Sequence, residues 1–397
     1  MTANPSPSPR LTLDSPEAFH IFQNFHKGRN EALASFPAPP SSRGEGWGEG
    51  GGNLHSAQIH QPIAVIGAGS WGTTLAQLLA EKGKDVRLWV REPDVCEGLR
   101  RDRINHTFLP GIRLSSRITF TQELPAALDG AGLVLMVVPS HGFRRTLGDL
   151  KPYCPPKAVL LSATKGMEID SLLTMEGLVR EEMGAEAPYA VLAGPSFARD
   201  VAQKQPTAVT VASRQREIAH FIQRLFSAPH FRVYTSHDIT GVELGGALKN
   251  VFAIGTGILS GMGLGDNPRA ALITRALAEM VRLGARLGAN PMTLTGLAGL
   301  GDLILTCTGS QSRNFQVGVQ LGQGIPLDQI LAGMAMVAEG VKTSQAVYLL
   351  AARLGVEMPL VTATYKILYE NLAPKEAIKK LMARELKDEM EAMTETW

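Results

Sequence analysis

Short apolar runs alternate with amphipathic stretches between residues 60 and 237. Runs rich in branched residues are typical of strands that are buried on both faces of a parallel sheet. These runs are "PIAVIG", "DVRLWVRE", "RITFTQ", "LVLMVVPS", "AVLLSATKG", "YAVLAGPS" and "PTAVTVAS". Helical stretches separate most of them, at 123–129, 143–150, 171–183 and 215–227. The alternation predicts an α/β fold, in which helices cover both faces of a doubly wound, mainly parallel sheet.

After about residue 237 the strand patterns stop and only helical patterns remain. Asparagine followed by proline, at 267–268 and again at 290–291, matches an N-cap with proline at the first helical position. Further helices are predicted at 342–354, 359–370 and 374–394. We therefore expect an α/β domain over residues 59–237 and an all-helical domain over residues 238–397.

Residues 1–58 differ in composition from the rest of the chain. The stretch "FPAPPSSRGEGWGEGGGN" consists largely of Pro, Gly and Ser and offers little apolar surface to bury. Such a composition favours disorder. A regulatory arm is one interpretation of this extension, but its composition favours a solvated segment or a start codon placed too far upstream.

The helix predicted over residues 242–263 contains an unexpected lysine. The helix is apolar on nearly all faces and should be buried, yet Lys249 and Asn250 lie in its middle. A buried lysine costs several kcal/mol unless it finds a partner or loses its proton. Gly245 and Gly246 lie on the same face, one turn earlier. Either Lys249 reaches the surface and the glycines allow close packing, or it is a functional amine with space for a ligand beside it.

Composition narrows the classes of function. The chain has 397 residues, of which 44% are hydrophobic, enough for a large core and two domains. A net charge of +2 argues against a nucleic-acid partner or an anionic membrane surface. Three cysteines without metal-ligand spacing suit a reducing cytoplasm, and we find no metal motif. No signal peptide or apolar run long enough for stable membrane insertion is apparent.

The segment "GAGSWG" places Gly67, Gly69 and Gly72 in the pattern G-x-G-x-x-G. It follows an apolar strand and opens a helix, which is the context of a Rossmann dinucleotide site. Gly67 permits the tight turn, Gly69 lets the backbone approach a pyrophosphate, and Gly72 lets the helix pack on the strand. An ordinary glycine-rich turn is the alternative, and the combined context favours NAD or NADP.

Arg91 ends the second predicted strand, where an NAD-binding acid is expected, and Glu92 follows it. An arginine at this position can accept the 2′-phosphate of NADP. The sequence therefore leans towards NADP and leaves NAD open, with a solvated arginine as the alternative.

Polar groups follow several predicted strands at their carboxyl ends, where ligands of open α/β sheets bind. Lys165 in "SATKGME" is placed to meet an anion or a reacting oxygen, although it could be a surface lysine. Gly194 and Ser196 in "AGPSFA" offer backbone and hydroxyl donors, or serve only the turn.

Two features of the helical half suggest a site for an anionic substrate. Asp302 lies in "GLAGLGDLILTC", and a buried carboxylate requires a nearby cation such as Lys249, unless Asp302 is a helix N-cap. Ser312, Arg313 and Asn314 form "SRN", whose donors suit a phosphate dianion, although a solvated loop is the blander interpretation.

Together these motifs resemble the bacterial-type NAD(P)-dependent glycerol-3-phosphate dehydrogenases. The matching segments are "GAGSWGT", "SATKG", "AGPSFA", "ELGGALKNVFAIG", "GLAGLGDLILTC", "SRN" and "VAEG", in the family's order over residues 60–390. The resemblance implies a Rossmann domain followed by a helical substrate domain. It also implies interconversion of sn-glycerol 3-phosphate and dihydroxyacetone phosphate, which supplies glycerol 3-phosphate for phospholipid synthesis.

The resemblance further implies roles for individual residues. It makes Lys249 the general acid/base and Lys165 a substrate and cofactor contact, with Asn250, Asp302 and Thr306 around the reacting carbon. Substrate-binding positions are Gly194, Ser196, Ser312, Arg313 and Asn314. Cofactor contacts, besides the motif glycines, are Ser70, Trp71, Arg91, Ala198, Arg313, Val337 and Glu339.

Two other functions remain open from the residues alone. A two-domain hydroxy-acid dehydrogenase would share the fold, but Arg313 favours a phosphate over a carboxylate. A non-catalytic NAD(P)-binding sensor would not need Lys249 and Asp302 in an apolar setting. The expected partner is a small phosphorylated molecule, and the sequence leaves a homodimer open.

Overall fold

The computed structural model describes residues 61–334 and 338–389, so the interpretation of residues 1–58 as a disordered extension lies outside the described residues. The strands are β1 (Ile63–Ile66), β2 (Val86–Trp89), β3 (Ile104–Asn105), β4 (Leu109–Arg113), β5 (Ile118–Thr121), β6 (Leu133–Met136), β7 (Val159–Ser162), β8 (Tyr189–Ala193), β9 (Thr207–Ala212) and β10 (Phe231–Ser236). All described residues belong to one compact unit, so the domain limits at 59–237 and 238–397 remain a prediction.

The helices follow the predicted division between an α/β half and a helical half. In the first half they are α1 (Ser70–Glu81), α2 (Pro93–Asp102), α3 (Leu124–Leu128), α4 (Ser140–Leu150), α5 (Met175–Met183), α6 (Ala198–Ala202) and α7 (Arg216–Phe226). In the second they are α8 (Ile239–Gly261), α9 (Asp266–Arg286), α10 (Pro291–Leu294), α11 (Asp302–Thr308), α12 (Arg313–Gly322), α13 (Leu327–Ala332), α14 (Glu339–Leu354), α15 (Pro359–Tyr369) and α16 (Pro374–Met382). A 3₁₀ turn (Lys151–Tyr153) and a π-helix (Leu297–Gly301) complete the order.

The main sheet has the strand order β10-β9-β8-β7-β6-β1-β2-β5. The six strands from β8 to β5 are mutually parallel, which confirms the predicted mainly parallel sheet. The pair β9–β10 runs antiparallel to β8. We did not predict β10, because it alternates buried Phe231 and Val233 with exposed Arg232 and Tyr234. That pattern belongs to a half-covered edge strand and lacks the continuous apolar run of the central strands.

Both faces of the sheet are covered, as the apolar strands require. In β1, Ile63 and Val65 belong to one hydrophobic core, which includes Leu75 of α1. Ala64 and Ile66 belong to the opposite core, which includes residues of α4 and α5. β1 lies between β2 and β6 in the sheet. The chain therefore builds the sheet from β1 towards β2 and β5 first, and later continues on the other side of β1 with β6. This arrangement opens a crevice at the carboxyl ends of β1 and β6, where ligands of such sheets bind.

Helix α8 is the core of the helical half. Lys249 retains only 6% of its accessible surface, so the interpretation of a lysine that reaches the surface is wrong. By length and composition α8 could cross a membrane, but 94% of its most apolar window is buried inside the protein. Its apolar surface therefore serves the protein's own core.

The predicted start of α9 and the predicted end of α16 differ from the structure. Helix α9 begins at Asp266, so Asn267 is not its N-cap, and Pro268 lies in the first turn, where its missing N–H needs no partner. The predicted helix 374–394 ends at Met382, because the next residues bury no apolar face and Leu386 is fully exposed. By contrast, Asn290 caps α10 as predicted and accepts a hydrogen bond from the Met292 N–H.

Candidate active site

A buried carboxylate joins two lysines outside the carboxyl ends of the strands. Asp302 is 1% exposed, and its Oδ1 accepts a hydrogen bond of 2.6 Å from Lys249 Nζ. Its Oδ2 accepts one of 2.7 Å from Lys165 Nζ. Lys249 Nζ also donates to Thr306 Oγ1 at 2.7 Å. Asp302 therefore has two neighbouring lysine ammonium groups, where the sequence predicted at least one cation.

Local backbone geometry brings these side chains together. The π-helix at Leu297–Gly301 precedes α11, and Asp302 is the first residue of that helix. Gly245 allows α8 to approach this segment, because a Cβ there would lie 2.4 Å from the Ala298 carbonyl oxygen. A Cβ at Gly246 would lie 3.5 Å from Cγ of Lys165. Gly245 thus admits the π-helix, whereas a side-chain carbon at Gly246 would make only an ordinary contact with Lys165. That the glycines leave space for a ligand beside Lys249 stays a prediction.

The electrostatics of the cluster favour a lysine that can change its charge. Burial lowers the pKa of Lys249 to about 7, against the opposing effect of Asp302 and with help from the charge of Lys165. Burial acts to raise the pKa of Asp302, but the two ammonium groups prevail and hold that pKa below its usual value. Asp302 therefore remains ionised while Lys249 can gain or lose a proton near neutral pH.

A chain of amides connects this cluster to the "SRN" segment. Asn250 Oδ1 accepts a 2.9 Å hydrogen bond from Asn314 Nδ2, and Asn314 Oδ1 accepts one of 2.9 Å from the Gly340 N–H. "SRN" is the start of α12 and not a loop, because Ser312 is the N-cap and its Oγ accepts from the Phe315 N–H. The Asn314 amide thus makes hydrogen bonds within the protein with both its nitrogen and its oxygen. Arg313 lies at a helix N-terminus, a position that favours the binding of anions.

Glu339, at the start of α14, connects the helical half to the α/β half. The charge of Arg313 acts to lower the pKa of Glu339, but burial prevails and raises it. The Glu339 carboxylate accepts hydrogen bonds from both the backbone N–H and the hydroxyl of Ser140, at the start of α4. We did not assign Ser140 from sequence, because nothing in the pattern pairs residues 199 positions apart.

The glycine motif fits a dinucleotide. Gly67 has a φ of +115°, and a Cβ there would lie 2.4 Å from the Val137 carbonyl oxygen. A Cβ at Gly72 would lie 1.9 Å from the Gly67 carbonyl oxygen, so this glycine allows the helix to pack on the loop. Nothing lies within 4 Å of the Cβ position at Gly69, and no side chain caps α1. An open loop before an uncapped helix N-terminus is suited to a pyrophosphate.

Three other predicted cofactor contacts, Ser70, Trp71 and Ala198, lie around this loop. Ser70 and Trp71 begin α1, and the buried indole N–H of Trp71 has no hydrogen-bond partner among the described residues. The Thr74 hydroxyl lies 3.1 Å from the Ala198 carbonyl oxygen, so the start of α6 adjoins α1. Val337 lies outside the described residues.

Arg91 is exposed at the end of β2, and its guanidinium pairs with Glu92 at 2.6 Å. His141, near the start of α4, is its neighbour. Burial lowers the pKa of His141, and the charges of Lys342 and Arg91 lower that pKa further. Arg91 and Lys342 therefore both place positive charge near His141.

Gly194 and Ser196 flank Lys165. Gly194 has a φ of +149°, and its carbonyl oxygen accepts from Lys165 Nζ at 3.4 Å. The Ser196 hydroxyl donates to the same oxygen at 3.0 Å. These residues shape the turn and orient Lys165, in addition to any contact with substrate.

Comparison with known proteins matches most of the chain. Residues 62–219 match the N-terminal model, and residues 238–379 the C-terminal model, of NAD-dependent glycerol-3-phosphate dehydrogenase. The glycerol-3-phosphate dehydrogenase (NAD(P)+) of Citrifermentans bemidjiense is 53% identical over 331 residues, which cover 83% of this chain and 99% of that protein. A second relative, from Syntrophobacter fumaroxidans, is 51% identical over 332 residues, which cover 83% of this chain and 98% of that protein.

Solved structures show the same fold. A glycerol-3-phosphate dehydrogenase from Coxiella burnetii is 41% identical with a TM-score of 0.80, and the match covers 82% of this chain and all of that one. The enzyme from Saccharomyces cerevisiae is 28% identical with a TM-score of 0.69, over 80% of this chain and 98% of that one.

Proposed function

The chain belongs to the NAD-dependent glycerol-3-phosphate dehydrogenase family, and we propose that Lys249 is the general acid/base of its reaction. The protein is an NAD(P)-dependent oxidoreductase that interconverts sn-glycerol 3-phosphate and dihydroxyacetone phosphate. This reaction supplies glycerol 3-phosphate for phospholipid synthesis. The observation that carries the proposal is the buried Lys249 Nζ, 2.6 Å from Asp302 Oδ1.

The lysine–aspartate–lysine cluster suits proton transfer at a carbonyl oxygen. When bound, the nicotinamide supplies or accepts the hydride. An ammonium has three donors, and among the described residues Lys249 Nζ donates to Asp302 and Thr306, which leaves one for a substrate oxygen. In reduction, Lys249 would donate a proton to the developing alkoxide; in oxidation, its neutral amine would accept one.

Lys165 allows Lys249 to lose its charge without leaving a buried carboxylate unpaired. Once Lys249 is neutral, Asp302 still has the ammonium of Lys165 at 2.7 Å. An unpaired buried carboxylate would be strongly destabilising. We therefore propose that Asp302 and Thr306 orient the acid/base and that Lys165 balances the charge of Asp302 while it contacts substrate.

The phosphate of the substrate would bind at the start of α12. Arg313 offers a guanidinium fork, Ser312 offers a hydroxyl, and the helix N-terminus adds its free N–H groups. The hydrogen bond between Asn314 and Asn250 ties this end of α12 to the residue that follows Lys249. This link would fix the distance between the phosphate and the reacting carbon.

Nicotinamide absorbance with dihydroxyacetone phosphate, and with each of NADPH and NADH, tests this function. We expect oxidation of the cofactor only when the phosphorylated ketone is present. Turnover of a 2-oxo acid instead would identify a hydroxy-acid dehydrogenase, whereas cofactor binding without turnover of either compound would identify a sensor.

The pH dependence should have opposite signs in the two directions. Because the pKa of Lys249 is lowered to about 7, the ammonium that reduction needs is lost as pH rises through about 7. The neutral amine that oxidation needs appears over the same range. We therefore expect kcat/KM for reduction to fall, and kcat/KM for oxidation to rise, between about pH 6 and 8. If kcat/KM changed in the same direction with pH for reduction and for oxidation, Lys249 would not be the group that carries the proton.

Arg91→Ala should weaken NADP binding more than NAD binding. Only NADP carries a 2′-phosphate, and a lost charge-assisted hydrogen bond is worth about one decade of affinity. Calorimetric Kd values for both cofactors measure the effect. An equal loss for NAD and NADP would mean that Arg91 does not contact the ribose phosphate.

A cytoplasmic location is part of the proposal. It is supported by Cys96, Cys154 and Cys307, all of which are unpaired, as expected in a reducing compartment. Fractionation of cells with a fluorescent fusion of the full chain tests this location.

A further inference from the structure

Asn105 is a buried polar residue that the mechanism above does not use. It ends β3, is 1% exposed, and lies beside the glycine motif. Its Nδ2 donates to the Ala68 carbonyl oxygen at 2.9 Å and to Thr73 Oγ1 at 2.9 Å. Its Oδ1 accepts from the Phe108 N–H at 2.9 Å. The amide therefore has a partner for both its donor hydrogens and its oxygen, in a place where an unpaired group would be costly.

The Ala68 carbonyl is the central acceptor of this network. Besides the bond from Asn105, it accepts one of 3.1 Å from the Thr73 hydroxyl. Ala68 stands between Gly67 and Gly69, so its carbonyl belongs to the peptide plane that joins it to Gly69. Because the peptide is planar and trans, the N–H of Gly69 points away from that carbonyl. Fixing the Ala68 oxygen on the Asn105 side therefore directs the Gly69 N–H to the opposite side.

The loop is open at Gly69. Gly69 is half-buried, and nothing lies within 4 Å of its Cβ position. It also precedes α1, whose N-terminus no side chain caps. The peptide that follows Gly69 is held by a 2.9 Å hydrogen bond from the Thr73 N–H to the Gly69 carbonyl oxygen, but glycine is conformationally permissive and does not itself fix the peptide that precedes it. Asn105 and Thr73 supply the constraint that the glycines themselves cannot.

We propose that Asn105 is a positioning residue for the cofactor: it holds the Ala68–Gly69 peptide so that the Gly69 N–H presents a donor to the pyrophosphate. The inference rests on the proposed function only in taking the ligand to be NAD or NADP. Asn105 itself touches neither cofactor nor substrate. It acts by pre-organising the loop, which lowers the cost of ordering the loop on binding.

The test is direct cofactor binding to the full chain, measured by calorimetry without substrate. For Asn105→Ala we expect Kd for NADH and NADPH to rise about 10-fold, which corresponds to about 1.4 kcal/mol. Asn105→Asp keeps the acceptor for Phe108 but replaces the Nδ2 donor by an oxygen. We expect it to raise Kd at least as much. In turnover assays KM for the cofactor should rise, while kcat and KM for dihydroxyacetone phosphate change less than about threefold.

Asn290→Ala is the matched control. Asn290 is also an asparagine that accepts a backbone N–H bond, but it caps α10 in the helical half. Its loss should lower the melting temperature and leave cofactor Kd unchanged. If Asn105→Ala destabilises the protein and leaves Kd unchanged too, the proposal is overturned and Asn105 only supports the turn at Phe108.

Thr73→Val keeps the test decisive where the Asn105 variants fail to fold. It removes the second donor to the Ala68 carbonyl and should raise cofactor Kd about threefold to tenfold. An unchanged Kd in that variant would equally overturn the proposal. Binding is measured apart from turnover, so a wild-type protein that binds cofactor but does not reduce dihydroxyacetone phosphate would contradict the proposed function and still test Asn105.

Discussion

Lys249→Met should lower kcat for dihydroxyacetone phosphate reduction about 100-fold or more, the usual scale for a lost acid/base group. Methionine has nearly the same length and shape, so the packing of α8 should survive. The Asp302 carboxylate keeps Lys165 as its partner at 2.7 Å. Since Lys249 does not line the glycine loop, cofactor Kd should stay near the wild-type value. Stopped-flow single turnovers would show that the chemical step, and not product release, has slowed.

Lys82→Met is the matched control for this substitution. Lys82 Nζ also makes hydrogen bonds within the protein, to the carbonyl oxygens of Arg224 and Ser227, but Lys82 lies at the C-terminal end of α1, opposite the glycine motif. We expect a modest loss of stability with normal turnover. Near-normal turnover in Lys249→Met itself would remove Lys249 from the mechanism. Full loss in both variants would mean that removing any internal lysine is enough to inactivate the protein.

The parts of the site that sequence predicts best are those that depend on neighbouring residues. The six residues of "GAGSWG" can be interpreted locally, because the strand, the turn and the helix that define this motif are adjacent in the chain. The need for a cation beside Asp302 is also predictable, since a buried carboxylate needs a partner. The sharing of Asp302 by two lysines is not, because they lie 53 and 137 positions from it.

The errors have the same origin. Gly245 indicates that something approaches α8, but only the tertiary structure shows that it is the Ala298 backbone. Strand β10 was missed because its pairing with β9, and not its own apolar content, keeps it in the sheet. The end of α16 was placed too late because helical periodicity continues past the last residue that packs on the core. Local pattern predicts the type of an element better than its limits.

Arg313→Ala should lower kcat/KM for dihydroxyacetone phosphate by about 30-fold or more. A guanidinium can bind two phosphate oxygens at once, which the Ser312 hydroxyl cannot reproduce. Truncating one partner of a desolvated charge pair costs roughly 2–5 kcal/mol, and about 1.4 kcal/mol corresponds to a factor of ten. Partial burial lowers the pKa of Arg313 against the effect of Glu339, but the group remains protonated. Its positive charge is therefore available to a phosphate at any working pH.

Two controls separate the phosphate from other effects of this substitution. Arg145→Ala removes an exposed arginine of α4 whose nearest carboxylate, in Asp149, is 3.9 Å away, and it should behave as wild type. Unphosphorylated dihydroxyacetone is the second control, because any residual rate with it owes nothing to a phosphate contact. Arg313→Ala should therefore reduce the rate with the phosphorylated ketone far more than the rate with dihydroxyacetone. If both rates fall equally, Arg313 acts through the cofactor or through Glu339, and the phosphate must be bound by other groups at the start of α12.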